Sequence, residues 1–586
     1  MNAAGIRMPA WAAALSGLVA GAVALGVAQI VAGLIDPGAA PVVAVGGAMV
    51  DATPAGLKEW AIRTFGSNDK PVLLGGIVVV LALIAAGLGL LARRRTAYGT
   101  LGLALFGLVG AAAALSRPDA GVAHVLPSIA GAAAAAWTLS RLMRRAMGGD
   151  EEEYVAASRA ASRAPGRAAD QATGATVLAA HAPAGPSSAE RTRAATVGEE
   201  RRAVEPGPAL PPVMRAGGGS GAGSGSALYT FDRRRLLTGA AAGIAVAGVA
   251  GLGGRLLSGS KDAELARRGV AKMLPRAARP AAPIPAGADL RIPGLTPFVT
   301  PNAEFYRVDT ALVVPSVDPA RWTLKIHGLV DRPVELTFAD LLKRPLTEAD
   351  VTLTCVSNEV GGPYAGNARW LGARLADVLR EAGVRREADM LLSVSDDGWT
   401  CGTPVDVVMD GRDALLAVAM NGEVLPEAHG FPVRQVVPGL YGYVSGTKWV
   451  TEIRATRFDQ EEGYWTPRGW APRGPIKTQS RIDLPHDGDK VTTGRTTVAG
   501  VAWAQHRGVD AVEVGVDGGA WRQARLADVP GLDTWRQWSL DLDLTPGRHT
   551  ISVRATDATG YTQTADELPP APDGATGYHT ITVTAR

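Results

Sequence analysis

Four long apolar stretches near the start of the chain constrain its fold more than any other feature. They run from Met8 to Ile35, Val72 to Ala92, Thr96 to Ser116 and Gly121 to Ser140. Each is close to the roughly 20 apolar residues that a helix needs to cross a bilayer. Arginine clusters follow the second stretch (93–95) and the fourth (141, 144 and 145), so the positive-inside rule places both ends of this unit in the cytoplasm. The sequence therefore predicts a four-helix transmembrane region over residues 1–149.

The composition of these helices bears on whether they carry redox chemistry. A haem held between helices usually takes paired axial ligands, most often histidines. The four stretches and their short connections offer only His124. We therefore expect an anchor or a partner-docking surface rather than a haem site.

A polar segment and a fifth apolar stretch follow the membrane region. Residues 150–230 are rich in Ala, Gly, Pro, Ser and Arg, which predicts a disordered cytoplasmic linker. Leu236 to Gly254 is again uncharged and follows Arg233, Arg234 and Arg235. The segment 231–257 is thus a predicted fifth span, and its "DRRRLL" resembles a twin-arginine export signal, which serves proteins that fold before export. Five spans place the C-terminal half outside the cytoplasmic membrane.

The C-terminal half reads as two soluble domains. Over residues 290–475, short β-type runs alternate with turn residues, and helices are predicted after Thr337 and before Gly383, which indicates an α+β domain. Over residues 476–586, apolar and polar residues alternate between turn signals, as is typical of a β-sandwich of the Ig-like kind. The predicted fold class is therefore multi-domain: a membrane region of four plus one helices, an α+β domain and a C-terminal Ig-like β-sandwich.

Charge and cysteine content exclude several classes of function. The formal net charge of +3 over 586 residues, without a basic stripe, does not favour nucleic acid as a partner. Two cysteines cannot form a disulfide framework.

Cys355 stands out within "LTCVSNEVGG" (353–362), between a β-type run and a glycine-rich turn. A thiolate is a soft metal ligand or a nucleophile. No histidine lies close in sequence to act as a base, and Cys/His residues at zinc-site spacing are absent. Cys401 is most simply a small core residue, and local sequence alone leaves that interpretation open for Cys355 as well.

A wider set of motifs resembles the sulfite oxidase family of molybdenum-cofactor oxidoreductases. The motifs are "TPNAEFYRVDTAL", "LTCVSNEVGG", "SDDGWTCGTP" and "HGFPVRQVVPGLYGYVSGTKW", followed by the β-sandwich. The resemblance covers about Thr296 to Arg586. It implies a sulfite-oxidase-type molybdopterin domain over 290–475 and a dimerisation-type sandwich over 476–586, and it leaves open whether a homodimer forms. The membrane half resembles membrane-anchored actinobacterial relatives with an internal twin-arginine signal.

The resemblance implies a role for particular residues. Cys355 falls where the single protein thiolate binds molybdenum, one metal per chain, and Arg307 where an arginine borders the substrate pocket. The positions that match cofactor-contacting segments are Phe305, Tyr306, Arg307, Asp396, His429, Arg434, Gly446, Thr447 and Lys448. The alignment does not choose between Asp396 and Asp397.

Departures from the family pattern concern the substrate. The segment after the ligand cysteine carries an arginine in sulfite oxidases, whereas here it is Asn358, Glu359, Val360 and Gly361. Trp470 takes the place of an active-site tyrosine. A lost cation and an added carboxylate weaken the binding of a small dianion if Glu359 faces the pocket. Arg307, Arg369 and Arg468 are the remaining candidates for positive charge.

These features predict a multi-pass enzyme of the cytoplasmic membrane whose catalytic domain is extracytoplasmic. It would carry out two-electron oxo transfer, either oxidising sulfite or a related sulfur compound or reducing a small-molecule or protein sulfoxide. With no haem domain visible, electrons would pass to or from a separate carrier such as a cytochrome or a quinone-linked protein. The alternative is a non-enzymatic cell-surface binding protein built on a cofactor-free version of the fold.

Overall fold

The fold is described from a computed structural model. It describes residues 8–54, 57, 64–65, 69–117, 120–146, 232–257 and 260–586. The predicted linker, 150–230, lies outside the described residues.

Four helices of the described ranges are long and apolar enough to cross a membrane, which confirms the four predicted apolar helices of the N-terminal region. They span Ala10–Ile35, Lys70–Ala92, Thr96–Leu115 and Val122–Ala146. The first and second approach each other closely through glycine: a Cβ on Gly17 would lie 2.0 Å from the carbonyl oxygen of Ala85, and one on Gly89 would lie 2.1 Å from that of Ala13. Small residues at such positions allow two backbones to pack in lipid.

Seven α-helices of the described residues precede the first strand. They are α1 (Ala10–Ile35), α2 (Pro41–Ala52), α3 (Asp69–Ala92), α4 (Thr96–Leu115), α5 (Leu126–Ala146), α6 (Arg233–Leu257) and α7 (Ser260–Met273). Helix α6 contains the predicted fifth span, Leu236 to Gly254. It is not one of the four helices that are long and apolar enough to cross a membrane. Its crossing of a membrane stays a prediction.

The α+β domain contains two sheets. The first has the order β2-β1-β10-β5-β6, in which β1 and β10 are parallel and the other pairs antiparallel. Its strands are β1 (Thr323–Gly328), β2 (Val334–Thr337), β5 (Met390–Ser395), β6 (Thr400–Pro404) and β10 (Val450–Thr456). The second sheet has the antiparallel order β3-β4-β7-β8, with β9 also paired to β7. Its strands are β3 (Leu346–Thr354), β4 (Ala365–Arg374), β7 (Leu415–Met420), β8 (Glu423–Val424) and β9 (Arg434–Val436).

Three short helices accompany these sheets: α8 (Phe338–Leu342), α9 (Leu375–Ala382) and α10 (Val405–Met409). Helix α8 begins at a capping box, in which the Thr337 hydroxyl accepts from the amide of Asp340 and the Asp340 carboxylate accepts from the amide of Thr337. Helix α9 ends at Gly383, whose φ of +68° suits glycine. Both predicted helices are therefore present.

The C-terminal part consists of two further sheets, ordered β11-β13-β17-β16 and β12-β19-β18-β14-β15. Their strands are β11 (Gln479–Leu484), β12 (Lys490–Val491), β13 (Gly494–Trp503), β14 (Val509–Val516), β15 (Arg522–Gln523), β16 (Arg525–Leu526), β17 (Arg536–Leu544), β18 (Gly547–Asp557) and β19 (His579–Ala585). Buried side chains from both sheets, including Val498, Trp538, Val553 and Ile581, form one core. The predicted alternating strands are present, and their Ig-like topology stays a prediction.

Candidate functional site

Cys355 lies in the connection between β3 and β4, immediately after β3 ends at Thr354. Its amide donates to the carbonyl of Tyr364 (2.9 Å), and its own carbonyl accepts from the amide of Asn358 (3.1 Å). The Asn358 side chain is buried and accepts from the Tyr364 amide at 2.7 Å. These bonds fold residues 355–364 back on themselves and fix the direction of the Cys355 side chain.

The Cys355 thiol is unpaired and 9% exposed, with its sulfur 3.0 Å from the Ser357 hydroxyl. Burial raises its pKa, while Ser357 and the charge of Lys448 oppose the rise. The thiol is therefore protonated until a cation displaces the proton, as soft metals do. Within the described ranges, no group of three or more His, Cys, Asp and Glu side chains could hold a metal ion.

The segment from His429 to Arg434 folds into a compact loop beside Lys448. The carbonyl of His429 accepts from Nη1 of Arg434 (3.2 Å), and Nε2 of His429 bonds to the carbonyl of Asn302 (3.1 Å). Gly430 has a φ of +111°, and a Cβ there would lie 2.8 Å from Cβ of Arg434 and 3.2 Å from Cα of Lys448. Glycine is thus required for the loop to bring these side chains together.

Burial and mutual repulsion weaken the protonation of the basic groups in this loop. Burial lowers the pKa of Arg434 to about 10. It lowers the pKa of Lys448 to about 8, although Asp309 opposes this shift. The pKa of His429 falls to about 4, through burial first and then through Arg434 and Lys448. His429 is therefore neutral at neutral pH, and the site is positively charged because Arg434 and Lys448 remain protonated.

Two nitrogens of the His429–Arg434 loop are buried without a hydrogen-bond partner among the described residues: Nε of Arg434 and Nδ1 of His429. The Arg434 guanidinium stacks on the ring of Trp370, 4.9 Å from its centroid. A buried donor without an acceptor costs about 1–3 kcal/mol, and more when charged. An anionic ligand such as a phosphate would satisfy Nε of Arg434. Nδ1 of neutral His429 is an acceptor, because Nε2 donates to the Asn302 carbonyl, and it would accept from an N–H or O–H of a ligand. The residues present therefore fit a phosphate-bearing pterin next to a thiolate ligand.

Aromatic rings fill the space between the thiol and this basic loop. Phe305 and Tyr306 stack with centroids 5.3 Å apart, and the edge of Phe305 meets His429 at 5.7 Å. Burial raises the pKa of Tyr306, and nearby Cys355 raises it further while Arg434 opposes. Tyr306 therefore lies within electrostatic reach of both the thiol and the guanidinium.

Asp309 links the predicted basic residues to one another. Its side chain is 8% exposed and accepts from Nε of Arg307 (2.8 Å) and from Nζ of Lys448 (2.8 Å). Lys70 of α3 donates to the same carboxylate. Burial alone would raise the pKa of Asp309, but these three cations outweigh it and hold the pKa well below its usual range.

The predicted Gly446–Lys448 segment is buried and hydrogen-bonded. The Thr447 hydroxyl lies 2.7 Å from that of Ser393, and the Thr447 carbonyl accepts from the Gln435 amide at 2.8 Å. A Cβ on Gly446 would lie 3.0 Å from the carbonyl oxygen of Gly442. Trp449, which follows, has a φ of +48°, a conformation that non-glycine residues adopt only when their surroundings impose it.

The carboxylates and arginines predicted near the pocket differ in what they contact. The Asp396 amide donates to the carbonyl of Trp449 at 2.8 Å, which places this turn beside Lys448. Asp397 accepts from the amide of Trp399 at 3.3 Å. Arg369 is held by a bidentate ion pair with Asp350 (2.7 and 2.9 Å).

The segment after Cys355 and the aromatic rim complete this part of the site. Glu359 is exposed. Trp470 is half-buried, with its ring centroid 5.9 Å from that of Tyr443 and 6.3 Å from that of Trp465. Arg468 lies over the ring of Tyr464, 3.7 Å from its centroid.

Four residues at the site were not singled out from the sequence: Ser357, Asp309 as a charge centre, Tyr441 and Lys70. Ser357 could have been found from its spacing of two residues from Cys355. Tyr441 is buried, and its pKa is raised by burial first, then by Asp573 and then by Cys355. The aromatic pair in "GLYGYVSG" was its only sequence signal. Nothing in the local sequence marks Lys70.

Comparison with known proteins assigns this arrangement to a family. The family described as "Oxidoreductase molybdopterin binding domain" matches residues 311–465. The chain is 31% identical over 322 residues to mitochondrial sulfite oxidase of Homo sapiens, covering 47% of this chain and 58% of that protein. It is 32% identical over 322 residues to sulfite oxidase of Gallus gallus, covering 47% of this chain and 69% of that protein.

A similar solved structure is the sulfane dehydrogenase SoxCD from Paracoccus pantotrophus, with 26% identity and a TM-score of 0.43, covering 48% of this chain and 80% of that one. The chain spans a little over half the length of human sulfite oxidase. With 32% identity across 69% of the avian enzyme and a matching molybdopterin-binding domain, the chain belongs to the sulfite oxidase family of molybdopterin-dependent oxidoreductases.

Proposed function

We propose that this protein is a membrane-anchored, extracytoplasmic enzyme that catalyses two-electron oxo transfer to or from a sulfur compound. The observation that carries the proposal is the buried, unpaired thiol of Cys355 beside a basic loop with unsatisfied buried nitrogens. The four apolar helices support membrane anchoring. The arginine pattern at their ends and at the start of α6 supports an extracytoplasmic catalytic domain.

Each side chain has a role that follows from its chemistry. Cys355 supplies the protein thiolate to molybdenum. Arg434, Lys448 and neutral His429 hold the pterin and its phosphate, and Phe305 and Tyr306 exclude water beside them. When bound, the molybdenum centre supplies two-electron oxo transfer, a chemistry that amino-acid side chains lack.

The substrate is a sulfur oxyanion or a sulfoxide, and the charges near the site bear on which. Oxidation of sulfite takes an oxygen from water and releases two protons and two electrons. Reduction of a sulfoxide consumes two protons and two electrons and releases water. Arg369 is held by Asp350, and Arg307 is shared with Asp309, so neither presents a wholly unpaired charge to a dianion. Both substrate classes therefore stay within the proposal.

Electrons enter or leave through a separate one-electron carrier, such as a cytochrome or a quinone-linked protein. The family match supports this step because the matched residues, 311–465, are a molybdopterin-binding domain, and the two electrons of the reaction must pass between its metal and an external carrier.

Molybdenum analysis of the purified full-length protein tests the proposal. We expect about one molybdenum per chain in the wild type and almost none in Cys355→Ser, because a hydroxyl is a poor ligand for the soft metal. Cys401→Ser is the matched control: Cys401 is also buried and unpaired, but it contacts Thr403 (3.7 Å), and its pKa is raised by burial to about 11. It should keep its molybdenum.

Equal molybdenum in both cysteine variants, or none in the wild type from a host that makes the cofactor, would contradict the proposal and favour a cofactor-free binding protein. Assays with sulfite plus an electron acceptor, and with a sulfoxide plus a donor, then decide the direction. Turnover of sulfoxides alone would exclude the oxidation.

A further inference from the structure

The membrane region contacts the catalytic domain at the site itself. Nζ of Lys70, at the start of α3, donates to Oδ1 of Asp309. These residues are 239 positions apart in sequence. Asp309 in turn holds Arg307 and Lys448. A residue of the predicted anchor is therefore part of the charge network beside the predicted cofactor loop.

Two further contacts place the same part of the membrane region against the catalytic domain. Helix α2 approaches it closely at Gly46, where a Cβ would lie 2.8 Å from Cδ1 of Leu312. At the end of α2, Asp51 accepts from the hydroxyl of Tyr464 and from Nη2 of Arg468 at 3.4 Å. Leu312 lies three residues beyond Asp309, and Tyr464 belongs to the aromatic group that includes Trp465 and Trp470.

The charge count at Asp309 indicates what this contact does. One carboxylate pairs with three cations in a largely buried place. Arg307 and Lys70 share Oδ1, whereas Lys448 and Nε of Arg307 bond to Oδ2. Without Lys70, the carboxylate would neutralise a larger share of Arg307 and Lys448, and the site would lose one positive charge.

We propose that Lys70 is a positioning residue for anion binding: the membrane region completes the site by pairing with Asp309, so that Arg307 and Lys448 remain available to an oxyanion. This inference rests on the proposed anion- and cofactor-binding role of the site. The oxyanion is either the phosphate of the cofactor or an anionic sulfur substrate. Lys70 acts through Asp309 and contacts neither.

Lys70 occupies a position where a basic residue needs a reason to be present. In the predicted orientation, α3 begins on the extracytoplasmic side, where the positive-inside rule disfavours basic residues. The carboxylate partner of Lys70, Asp309, belongs to the catalytic domain, which the predicted five-span topology places on the same side of the membrane. The predicted topology and the Lys70–Asp309 contact are therefore consistent with each other.

The test compares Lys70→Met with Lys70→Arg and a control, using full-length protein in detergent. Inorganic sulfate is the oxyanion probe, titrated calorimetrically, and molybdenum is measured in each sample. The control is Lys343→Met, which removes an exposed lysine paired to Asp340 on α8 (3.0 Å). We expect Lys70→Met to weaken sulfate binding roughly tenfold, the effect of removing one charge from a partly desolvated site. Lys70→Arg should restore binding because it keeps the cation.

The two sources of oxyanion give different results. If Lys70 serves the cofactor phosphate, molybdenum content falls in Lys70→Met and is rescued in Lys70→Arg. If it serves a substrate anion, molybdenum stays at the wild-type level, sulfate binding weakens, and KM for sulfite rises without an equal fall in kcat. Lys70→Met with sulfate affinity and molybdenum equal to those of Lys343→Met would overturn the proposal. A wild type without molybdenum would instead contradict the proposed function, and the sulfate titration would still decide the role of Lys70.

A second pair of variants tests the contact without altering any charge. Gly46→Leu should push α2 away from Leu312, whereas Gly47→Leu adds the same side chain at a position with no neighbour within 4 Å. We expect Gly46→Leu to weaken sulfate binding in the direction of Lys70→Met and Gly47→Leu to leave it unchanged. Equal behaviour of the two would mean that α2 does not set the position of the site.

Discussion

At the scale of single residues, burial shifts the pKa values of the groups at the site toward their neutral forms. His429 is 5% exposed, and its pKa of about 4 keeps it neutral. Burial lowers the pKa of Arg434 to about 10 and that of Lys448 to about 8, where Asp309 opposes the shift, so both groups remain charged at neutral pH. Such strongly shifted pKa values concentrate at functional sites, in agreement with the family assignment.

His429 gives a pH-dependent stability whose sign follows from its lowered pKa. Between about pH 4 and 6.5, the unfolded protein binds a proton at this histidine and the folded protein does not, so the free energy of unfolding falls as the pH is lowered through this window. The loss amounts to at most about 3 kcal/mol.

Thermal unfolding of cofactor-free protein at pH 7 and pH 5 measures this effect. We expect the midpoint of the wild type to fall further than that of His429→Gln, which retains a donor for the Asn302 carbonyl but cannot titrate. Parallel pH profiles for the two proteins would show that His429 is already protonated in the folded state.

At the scale of secondary-structure elements, the turns decide where the functional side chains lie. The predicted helices α8 and α9 formed where Thr337 and Gly383 supply their caps, because capping is a local interaction. The His429–Arg434 loop depends instead on contacts with Asn302 and Lys448. The Cys355 loop combines bonds within residues 355–364 with the close approach of Gly361 to His579.

Gly430 is the turn residue on which the basic loop depends, and a glycine elsewhere provides a matched control. Gly430→Ala and Gly411→Ala both place a Cβ at a φ near +110°, which costs roughly 1–2 kcal/mol. At Gly411 nothing lies within 4 Å of the added atom, whereas at Gly430 it meets Arg434 and Lys448.

We therefore expect Gly430→Ala to be the more destabilising variant, by an additional roughly 1–3 kcal/mol, and to lose molybdenum. Thermal unfolding and metal analysis of both variants provide the measurement. Comparable losses in the two would show that the loop tolerates the displacement of Arg434.

At the scale of the whole molecule, segments that precede the site residues in sequence and segments that follow them both contact the site. The C-terminal sheets hold the end of β3: Gln505 donates to the Thr352 carbonyl at 3.0 Å, and Arg481 donates to the Gly362 carbonyl at 3.0 Å. From the other side, α2 and α3 contact the segment that contains Asp309. The molybdopterin domain thus contacts both the apolar helical region and the C-terminal sheets.

Export of that domain is predicted to depend on the arginines at the start of α6. Replacing Arg233, Arg234 and Arg235 by lysine keeps the charge but should abolish recognition by a twin-arginine pathway, which leaves the catalytic domain inside. The same replacement at residues 93–95 is the control, because it preserves the positive charge after α3.

Protease accessibility in intact cells and in spheroplasts measures the location of the domain. We expect protection only in the Arg233–Arg235 variant. Cleavage from outside in that variant would mean that α6 inserts as an ordinary transmembrane helix.

The sequence by itself determined the apolar helices, the two helices after Thr337 and before Gly383, and the residues that match the molybdopterin motifs. Hydrophobic periodicity, caps and short motifs are properties of neighbouring residues, so they can be read without a fold. "HGFPVR" and the Cys355 turn marked candidate site residues for this reason. Only the tertiary structure decided that Asp309 joins Arg307, Lys448 and Lys70, because a pair 239 residues apart has no local signature. Such contacts arise when long-range packing brings buried charges together, since each charge must find a partner once water is removed.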